Sequence, residues 1–335
     1  MLNKKIVVLG AGVSGLSTAT FLLKQEKDIK VHIIANIFPN DPEASSNEYT
    51  STVAGAHWRS HAENNIRQQG FDKSTYIYLW KLAEQTTSDI TGVMIIDEFE
   101  YWEKLPNDFV EPWYSTLCHG YRHLKKDELP DGVDFGITYK SSGTTERANK
   151  TDINDCIKED TDIVINCSGL YSSKLGGVKD ENLYPVRGQS VTVKLSQSCL
   201  KWACFRRGYN GNPKTVTYII PRENGNVIFG GTLEENNHST KIDYDVAGEI
   251  IQRCLATRPD ILPRDKTELT IVGHRAGLRP CRKDGVRIEA EWIDCKQYNK
   301  QVLICHNYGH GGSGYESSYG TAQEAIEVIK EKLKN

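Results

Sequence analysis

The chain has 335 residues, of which 41 are lysine or arginine and 44 are aspartate or glutamate, so its formal net charge is -3. This balance argues against a concentrated basic surface for nucleic acid, and no apolar stretch approaches the ~20 residues that a membrane-spanning helix needs. The length exceeds one average domain of ~100–200 residues, so we expect two domains. A strand pattern follows the first residues without a long apolar signal segment, which predicts a non-exported, cytoplasmic protein.

The first thirty-five residues predict a strand, a glycine turn, a helix and a second strand. The strand pattern covers Lys5–Leu9, the helix runs from Leu16 to about Lys24, and Lys30–Ala35 form the second strand. The turn fits G-x-G-x-x-G, in which glycines permit a tight turn and close approach to a pyrophosphate, while the first helical amides face the anion. We therefore expect dinucleotide binding here, with a purely structural turn as the alternative. The turn residues are Gly10, Ala11, Gly12, Val13, Ser14 and Gly15.

The residue expected to hold the ribose is neutral. An acidic side chain is typical about twenty positions after the glycines, at the end of the second strand. The chain has Asn36 at that position. Its amide oxygen still accepts a hydrogen bond, but more weakly than a carboxylate would. The sequence therefore predicts a weakened ribose contact at Asn36.

The remaining chain mixes parallel and antiparallel strand patterns. Residues 85–132 are irregular and aromatic, and residues 141–155 are predicted to form an exposed connection. Because the parallel-type strands lie at both ends and in the middle, we expect a discontinuous nucleotide-binding domain of residues 1–62, 152–188 and 272–335. Residues 63–151 and 189–271 form the second domain in this prediction. The predicted elements are a strand over 162–169 that stops at a glycine, an antiparallel meander over 190–194, 216–220 and 227–230, a strand over 302–306 and a helix over 321–333.

A second glycine-rich loop follows the last predicted strand. Four glycines occur within six positions, at Gly309, Gly311, Gly312 and Gly314, and Ser313 and Tyr315 belong to the same loop. Such density has an entropic cost and is useful where a planar ligand lies directly against the main chain. The helix that follows places partial positive charge beside the loop, which suits a flavin, because the reduced ring gains negative charge. An ordinary glycine-rich turn is the alternative.

The nine cysteines include no C-x-x-C pair. The spacing therefore gives little support for a zinc site or a dithiol redox site. We expect reduced thiols packed as small apolar side chains, and no metal.

Six segments, in order along about residues 5 to 325, resemble one family. The most specific are Gly277-Leu278-Arg279-Pro280 and His306-Asn307-Tyr308-Gly309. Together the segments resemble the D-amino-acid oxidase and D-aspartate oxidase family of FAD enzymes. The resemblance implies an α/β protein (α+β overall), with a Rossmann-like FAD-binding domain and a second, mainly antiparallel β substrate domain. The segments are Val8–Leu16, Tyr49–Trp58, Tyr184–Gln189, Tyr218–Arg222, Ala276–Pro280 and His306–Gly309.

The resemblance also implies a substrate site and a reaction. Arg279 would grip the α-carboxylate of a D-amino acid, since a planar guanidinium holds both oxygens at once. Tyr218, Tyr209 and Ser318 would lie beside the substrate. The implied reaction transfers a hydride from the α-carbon to flavin N5, after which the imino acid hydrolyses to a 2-oxo acid and ammonia. O₂ then reoxidises the flavin and gives hydrogen peroxide. Orientation drives such a transfer, and no side-chain acid or base is implied.

The resemblance places three further segments against FAD. The first faces the flavin, the second lies on the adenosine and pyrophosphate side, and the third is the C-terminal glycine loop, beside which Arg279 also borders the cofactor. The first segment supplies Thr50, Ser51, Ala54, Gly55 and Ala56, and the second supplies Cys167, Ser168 and Gly169.

The connection over residues 141–161 departs from the family pattern. The family has a strand and a helix there, whereas this segment is polar and only Ile153 and Ile157 offer an apolar helix face. We hypothesise that the adenine end of FAD is held loosely. A catalytically silent flavin-binding relative is the main alternative to an active oxidase. An NAD-dependent dehydrogenase would explain only the first βαβ unit.

Substrate preference, location and assembly stay open. Arg206, Arg207 and Arg222 either pair a second substrate carboxylate, which would favour D-aspartate, or are solvated surface charges. The expected partners are a D-amino acid and O₂, without nucleic acid or membrane, and a homodimer is compatible with the sequence. A cytoplasmic location is expected, and a peroxisomal one is the alternative, although the chain ends in Leu333-Lys334-Asn335 rather than a Ser-Lys-Leu type signal.

Overall fold

The computed structural model describes residues 4–26, 29–39, 41, 49–143, 157–195, 200–262 and 269–334. Its helices are α1 (Val13–Gln25), α2 (Thr50–Val53), α3 (Ile66–Gln85), α4 (Ser88–Thr91), α5 (Tyr244–Thr257) and α6 (Ser318–Lys332). Its strands are β1 (Lys5–Leu9), β2 (Lys30–Ile34), β3 (Met94–Trp102), β4 (Arg122–His123), β5 (Phe135–Gly143), β6 (Ile163–Asn166), β7 (Leu183–Lys194), β8 (Trp202–Tyr209), β9 (Asn212–Pro221), β10 (Asn226–Gly230), β11 (Glu234–Glu235), β12 (Thr270–Arg282), β13 (Arg287–Cys295) and β14 (Lys300–Tyr308).

A five-stranded sheet forms the nucleotide-binding half, with the strand order β13-β14-β6-β1-β2. β1 pairs in parallel with both β2 and β6, and β14 pairs in parallel with β6. One face of this sheet packs against α1 and α6 through buried side chains such as Val8, Leu22, Ile165 and Ile326. The strand–turn–helix–strand arrangement predicted for the N-terminus is therefore confirmed, as is the α/β class of the fold.

The second sheet has nine strands and is mainly antiparallel. Its order is β11-β7-β10-β9-β8-β3-β5-β4, and β12 pairs with β7. The predicted meander corresponds to β7, β10 and β9, which pair antiparallel. Helix α5 packs on one face, over a core that includes Val191, Ile219, Phe229 and Cys254. The division of the chain into two domains at the predicted boundaries stays a prediction.

Two predictions for the middle of the chain need correction. The segment predicted to be irregular contains β3, a nine-residue strand. Ser141 and Ser142, predicted to be exposed, are buried at the end of β5, because β5 pairs with β3 along its whole length. Ile157 is buried, whereas Ile153 and the rest of 144–156 lie outside the described residues.

The described cysteines are unpaired and mostly packed inside the protein. The seven cysteines within the described ranges are free thiols, and five of them are buried. In the same part of the chain, no helix combines the length and the apolar character needed to cross a membrane.

Candidate active site

The end of β12 is tied to two of the segments predicted to bind the cofactor. The Thr50 hydroxyl donates to the Leu278 carbonyl at 2.7 Å, and the Gly311 amide donates to the Pro280 carbonyl at 2.9 Å. Arg279 lies between these two carbonyls in sequence. The fold therefore places the Arg279 backbone between α2 and the C-terminal glycine loop.

The Arg279 side chain extends over β7. It is half-buried, and its Nη1 donates to the Thr232 carbonyl at 3.1 Å. Val186 is its register partner on β7, and Gly188, two residues further, lies on the same face. A Cβ atom at Gly188 would collide with the guanidinium. Glycine at that position therefore leaves the space that the arginine occupies.

Tyr218 meets Arg279 at the same place. On β9, Tyr218 is the register partner of Gly230 on β10, and a Cβ atom at Gly230 would collide with its ring. A Cβ atom at Gly231 would lie 2.6 Å from its hydroxyl. Burial raises the pKa of Tyr218, while the neighbouring Arg279 acts in the opposite direction by charge and hydrogen bonding. The predicted carboxylate-binding pair is thus brought together.

Tyr209 and Ser318 interact with other residues than this pair. Tyr209 ends β8 at the tight turn into β9, and its ring centroid is 5.3 Å from the Arg206 guanidinium. Ser318 is the buried first residue of α6, and its carbonyl accepts from the Thr321 hydroxyl at 3.3 Å. Within the described residues, no hydrogen bond or cation–ring contact joins either side chain to Arg279. Their roles beside the substrate stay predictions.

The N-terminal glycine turn has the conformation that its motif predicts. Gly10 has a φ of +98°, and a Cβ atom there would lie 2.6 Å from the Cys167 carbonyl. A Cβ atom at Gly15 would collide with the Gly10 carbonyl, so α1 can pack this close to β1 only with glycine. Gly12 begins the helix without a side-chain cap, and among the first amides Val13 N donates to Ser51 Oγ at 3.2 Å.

The segment that follows α2 is fixed by an arginine. Arg222 donates from Nη1 to the Gly55 carbonyl and from Nη2 to the Ala54 carbonyl, both at 2.8 Å. Tyr315 donates to the Ser51 carbonyl at 3.1 Å, which joins this segment to the C-terminal loop. The surface-charge interpretation of Arg222 is therefore wrong, because its guanidinium supports backbone carbonyls inside the protein.

The surface interpretation of Arg206 is also wrong. Its side chain is only 4% exposed and donates from Nη2 to the Gly132 carbonyl at 3.4 Å. Arg207 is half-buried on the opposite face of β8, where its Cζ lies 5.6 Å from the Phe205 ring centroid. Burial lowers the pKa of Arg207, and the nearby positive charge of Arg59 lowers it further. None of the three arginines is a freely solvated charge.

Comparison with known proteins is consistent with this geometry. The family of FAD dependent oxidoreductases (DAO) matches residues 136–328 of the chain. A D-amino-acid oxidase of Fusarium vanettenii is 30% identical, over 98% of this chain and 97% of the relative. A D-aspartate oxidase of Cryptococcus neoformans var. grubii is 27% identical, over 99% of this chain and 98% of the relative.

The chain belongs to the FAD-dependent oxidoreductase family. The fold agrees, since the crystal structure of glycine oxidase from Bacillus cereus superposes with a TM-score of 0.70 at 18% identity. That match covers 98% of this chain and 96% of the other.

The described residues of this family member fit FAD. At the glycine turn, Gly10 and Gly15 have no room for a Cβ atom. Gly12, the N-cap of α1, has no side chain to bond the first helix amides, of which Val13 N donates to Ser51 Oγ. In the C-terminal loop, Gly309 and Gly311 have φ angles of +89° and +57°, which favour glycine, and Gly312 is exposed. The loop also contacts the turn, since a Cβ atom at Gly314 would lie 3.5 Å from Val13 Cγ1.

The residues predicted for the adenosine side adjoin this turn. Cys167 is buried, and burial raises the pKa of its thiol to about 12, so it contributes packing rather than reactivity. The Ser168 hydroxyl lies 2.7 Å from that of Ser172, and Gly169 follows with a φ of +59°. Asn36 is exposed two residues after β2 ends, which leaves its amide free to face solvent or a ribose.

Sequence reasoning missed a buried charged cluster beside the site. Glu100 accepts from Arg59 Nε at 2.8 Å and Nη2 at 2.6 Å, and from the hydroxyls of Tyr114 at 2.6 Å and Tyr139 at 2.8 Å. Burial raises its pKa, but these donors outweigh burial and hold the pKa below its usual value. Glu98 and Glu100 occupy alternate, buried positions of β3. An apolar residue at these positions would have predicted a strand with one buried face, but the two carboxylates interrupt that alternation.

Proposed function

We propose that the protein is an FAD-dependent oxidase that deaminates D-amino acids. The observation that supports this most directly is the pairing of Arg279 and Tyr218 between two segments that are predicted to bind the cofactor. The reaction converts a D-amino acid, O₂ and water to a 2-oxo acid, ammonia and hydrogen peroxide.

The protein's own contribution is to orient the substrate. Arg279 has donors beyond the one that bonds the Thr232 carbonyl, and these bind the substrate α-carboxylate. The Tyr218 hydroxyl provides a further donor beside them. With the carboxylate fixed, the α-carbon has one position relative to the C-terminal loop, which lowers the entropic cost of reaction. Bound FAD would supply the acceptor for the two electrons that leave the α-carbon.

The test is anaerobic reduction of the FAD-loaded protein by D-alanine, followed by absorbance, with L-alanine as the control. We expect loss of the oxidised flavin spectrum with the D enantiomer alone and peroxide release when O₂ is admitted. In Arg279→Lys the charge remains but the bidentate geometry is lost, so kcat/KM should fall about 100-fold or more with flavin content unchanged. A folded protein that takes up no flavin, or a flavin that D-amino acids do not reduce, would contradict the proposal.

A preference for acidic D-amino acids is a second candidate, favoured by Arg207. Phe205 faces Tyr218 across β8 and β9, and Arg207 lies on the same face two residues further along. Neighbouring Arg59 is occupied by Glu100, whereas no hydrogen bond or ion pair within the described ranges engages the Arg207 guanidinium. A half-buried cation beside the carboxylate-binding pair suits a second substrate carboxylate.

Two adjacent arginines allow a matched test of this preference. Arg207→Gln should reduce kcat/KM for D-aspartate at least tenfold while D-alanine turnover changes little, because only the acidic substrate uses the charge. Arg206→Gln, on the opposite face of β8, should leave the ratio of the two substrates unchanged. Equal loss for both substrates in Arg207→Gln would rule out the second-carboxylate site. The cytoplasmic location and the homodimer remain predictions from the sequence.

A further inference from the structure

The loop between β10 and α5 borders both side chains of the carboxylate-binding pair. Arg279 Nη1 donates to the Thr232 carbonyl at 3.1 Å. A Cβ atom on the preceding residue, Gly231, would lie 2.6 Å from the Tyr218 hydroxyl. Two consecutive residues, Gly231 and Thr232, therefore lie against the guanidinium and the phenol, and we call them the bridging dipeptide.

The Arg279 side chain crosses β7 to reach this dipeptide. Its guanidinium passes over Gly188, where a Cβ atom would collide with both Nη1 and Nη2. The Thr232 carbonyl accepts from the guanidinium on the far side of the strand. Because an arginine side chain has several rotatable bonds, a fixed acceptor at this point holds it in one geometry.

The Thr232 end of the bridging dipeptide is held by β7 itself. The Gln189 amide donates to Thr232 Oγ1 at 3.0 Å, and Gln189 is fully buried. Gln189 directly follows Gly188, so the residue that leaves room for the guanidinium adjoins the one that holds its acceptor. Removal of the Thr232 hydroxyl would take this acceptor from a buried amide, which favours a shift of the loop.

The Gly231 end is held by two other elements. Arg253 on α5 donates from Nη2 to the Gly231 carbonyl at 3.1 Å, and the Gly231 amide donates to the Val216 carbonyl on β9 at 3.2 Å. Gly231 is buried, and Arg253 is only 9% exposed. The bridging dipeptide is therefore fixed from β7, β9 and α5 at once.

The rest of the loop is tied to the same strand. Arg187 donates from Nε to the Ser239 carbonyl at 3.0 Å and from Nη2 to the Lys241 carbonyl at 2.6 Å. The Gln189 side chain donates to the Asp243 carbonyl at 2.5 Å and accepts from the Asp243 amide at 3.0 Å. A loop anchored in this way along its length can hold the acceptor for Arg279 in one place.

We propose that Thr232 and Arg253 are positioning residues for the substrate carboxylate. Through the bridging dipeptide they set the Arg279 guanidinium against the Tyr218 hydroxyl, and the proposal rests on the proposed function, which supplies the carboxylate. A bidentate contact needs the guanidinium aligned with the carboxylate, so displacement of the Thr232 carbonyl should weaken carboxylate binding. Because that contact is present both before and during the reaction, the loss should appear in KM rather than in kcat.

The first test measures the binding of propionate, which is D-alanine without its amine, to the FAD-loaded protein by calorimetry. Thr232→Val removes the hydroxyl at nearly constant side-chain shape, and the Kd for propionate should rise about fivefold or more. KM for D-alanine should rise by a similar factor, with kcat within about twofold of wild type. Thr232→Ser, which restores the hydroxyl, should recover the wild-type values.

The second test acts on the other end of the bridging dipeptide. Arg253→Gln removes the donor to the Gly231 carbonyl and should raise the same Kd and KM. Arg258→Gln is the matched control, because this neighbouring arginine pairs with Asp260 and lies 3.6 Å from the Trp202 ring centroid. It should leave the Kd for propionate unchanged, even where the melting temperature falls.

Arg279→Lys identifies the site in the same assay, since its Kd for propionate should exceed that of the other variants. Wild-type Kd and KM in both Thr232→Val and Arg253→Gln, with flavin content preserved, would overturn the positioning role. A fall in kcat at unchanged KM would overturn it as well, because the effect would then lie in the chemical step. Weaker propionate binding in Thr232→Val, in a protein whose flavin D-amino acids do not reduce, would support the positioning role while contradicting the proposed function.

Discussion

At the scale of single residues, the candidate site depends on glycines as much as on the side chains that they accommodate. Gly188 leaves room for the Arg279 guanidinium, and Gly230 and Gly231 leave room for the Tyr218 ring. The sequence motifs point to the arginine and the tyrosine, but they do not show why these two side chains can lie next to each other. That reason lies in the cross-strand register of β7 with β12 and of β9 with β10.

Gly188→Ala should disable Arg279 without unfolding the protein. The added methyl would meet the mobile end of the arginine rather than backbone, so the guanidinium would be displaced and KM for D-alanine should rise about tenfold or more. Gly248→Ala on α5 is the control, because its Cβ atom would meet no heavy atom within 4 Å. Steady-state kinetics of both variants, with melting temperatures, check this. Wild-type KM in Gly188→Ala would show that the arginine has another place to lie.

At the scale of elements, the helices and strands that the sequence predicts are those in which apolar residues form a run or recur with regular spacing. β1, α1, β2 and β14 follow apolar runs in the sequence and are found close to their predicted bounds. The sequence reading did not identify α3, although it is the longest helix in the described part of the chain. Its buried face includes Asp72 and Thr75, which interrupt the apolar stripe that such a prediction needs.

The contact between α3 and α6 is testable by one substitution. A Cβ atom at Gly320 would collide with backbone atoms of Phe71, and the Gly320 amide donates to Thr75 Oγ1 at 3.1 Å. Gly320→Ala should therefore destabilise the protein by about 1–3 kcal/mol, because backbone cannot move aside as a side chain can. Because α6 begins just after the C-terminal loop, flavin affinity should fall as well.

The control for this substitution lies on the partner helix. Gly70→Ala on α3 introduces a Cβ atom with no heavy atom within 4 Å, and it should keep or raise the melting temperature. Thermal unfolding with and without added FAD measures both effects. Equal melting temperatures for Gly320→Ala and wild type would contradict the close packing of the two helices.

At the scale of the whole molecule, several carboxyl groups are buried close to one another. Glu98 and Glu100 project from the second sheet toward the segment at residues 57–61, and Asp72 and Glu316 join them from α3 and the C-terminal loop. Glu100 is stabilised by Arg59 and two tyrosine hydroxyls, whereas burial raises the pKa of Glu98, Asp72 and Glu316. The folded state therefore holds carboxyl groups whose protonation differs from that of the unfolded chain.

This difference makes part of the stability depend on pH. Burial raises the pKa of Asp72 from 3.8 to about 8, so between these values the folded protein keeps a proton that the unfolded chain has released. The free energy of unfolding should consequently fall as pH rises through this window. Asp72→Asn removes this contribution, so the variant should gain stability relative to wild type by about 2–3 kcal/mol from pH 5 to pH 7.

Denaturant unfolding at several pH values measures this trend. Asp131→Asn, at an exposed position, is the control, and its difference from wild type should stay flat. A flat difference for Asp72→Asn would mean that its carboxyl is already ionised in the folded protein.

The sequence by itself determined the α/β class, the N-terminal glycine turn and the C-terminal glycine loop. These are local patterns, because a turn conformation or a strand run depends on a few consecutive residues. The tertiary structure alone decided that Arg222 supports the segment after α2, that Arg206 is buried while Arg207 lies on the opposite face of β8, and that His61 holds Glu316. Such contacts join residues up to 255 positions apart, as between His61 and Glu316, and their energies come from burial, which no local pattern records.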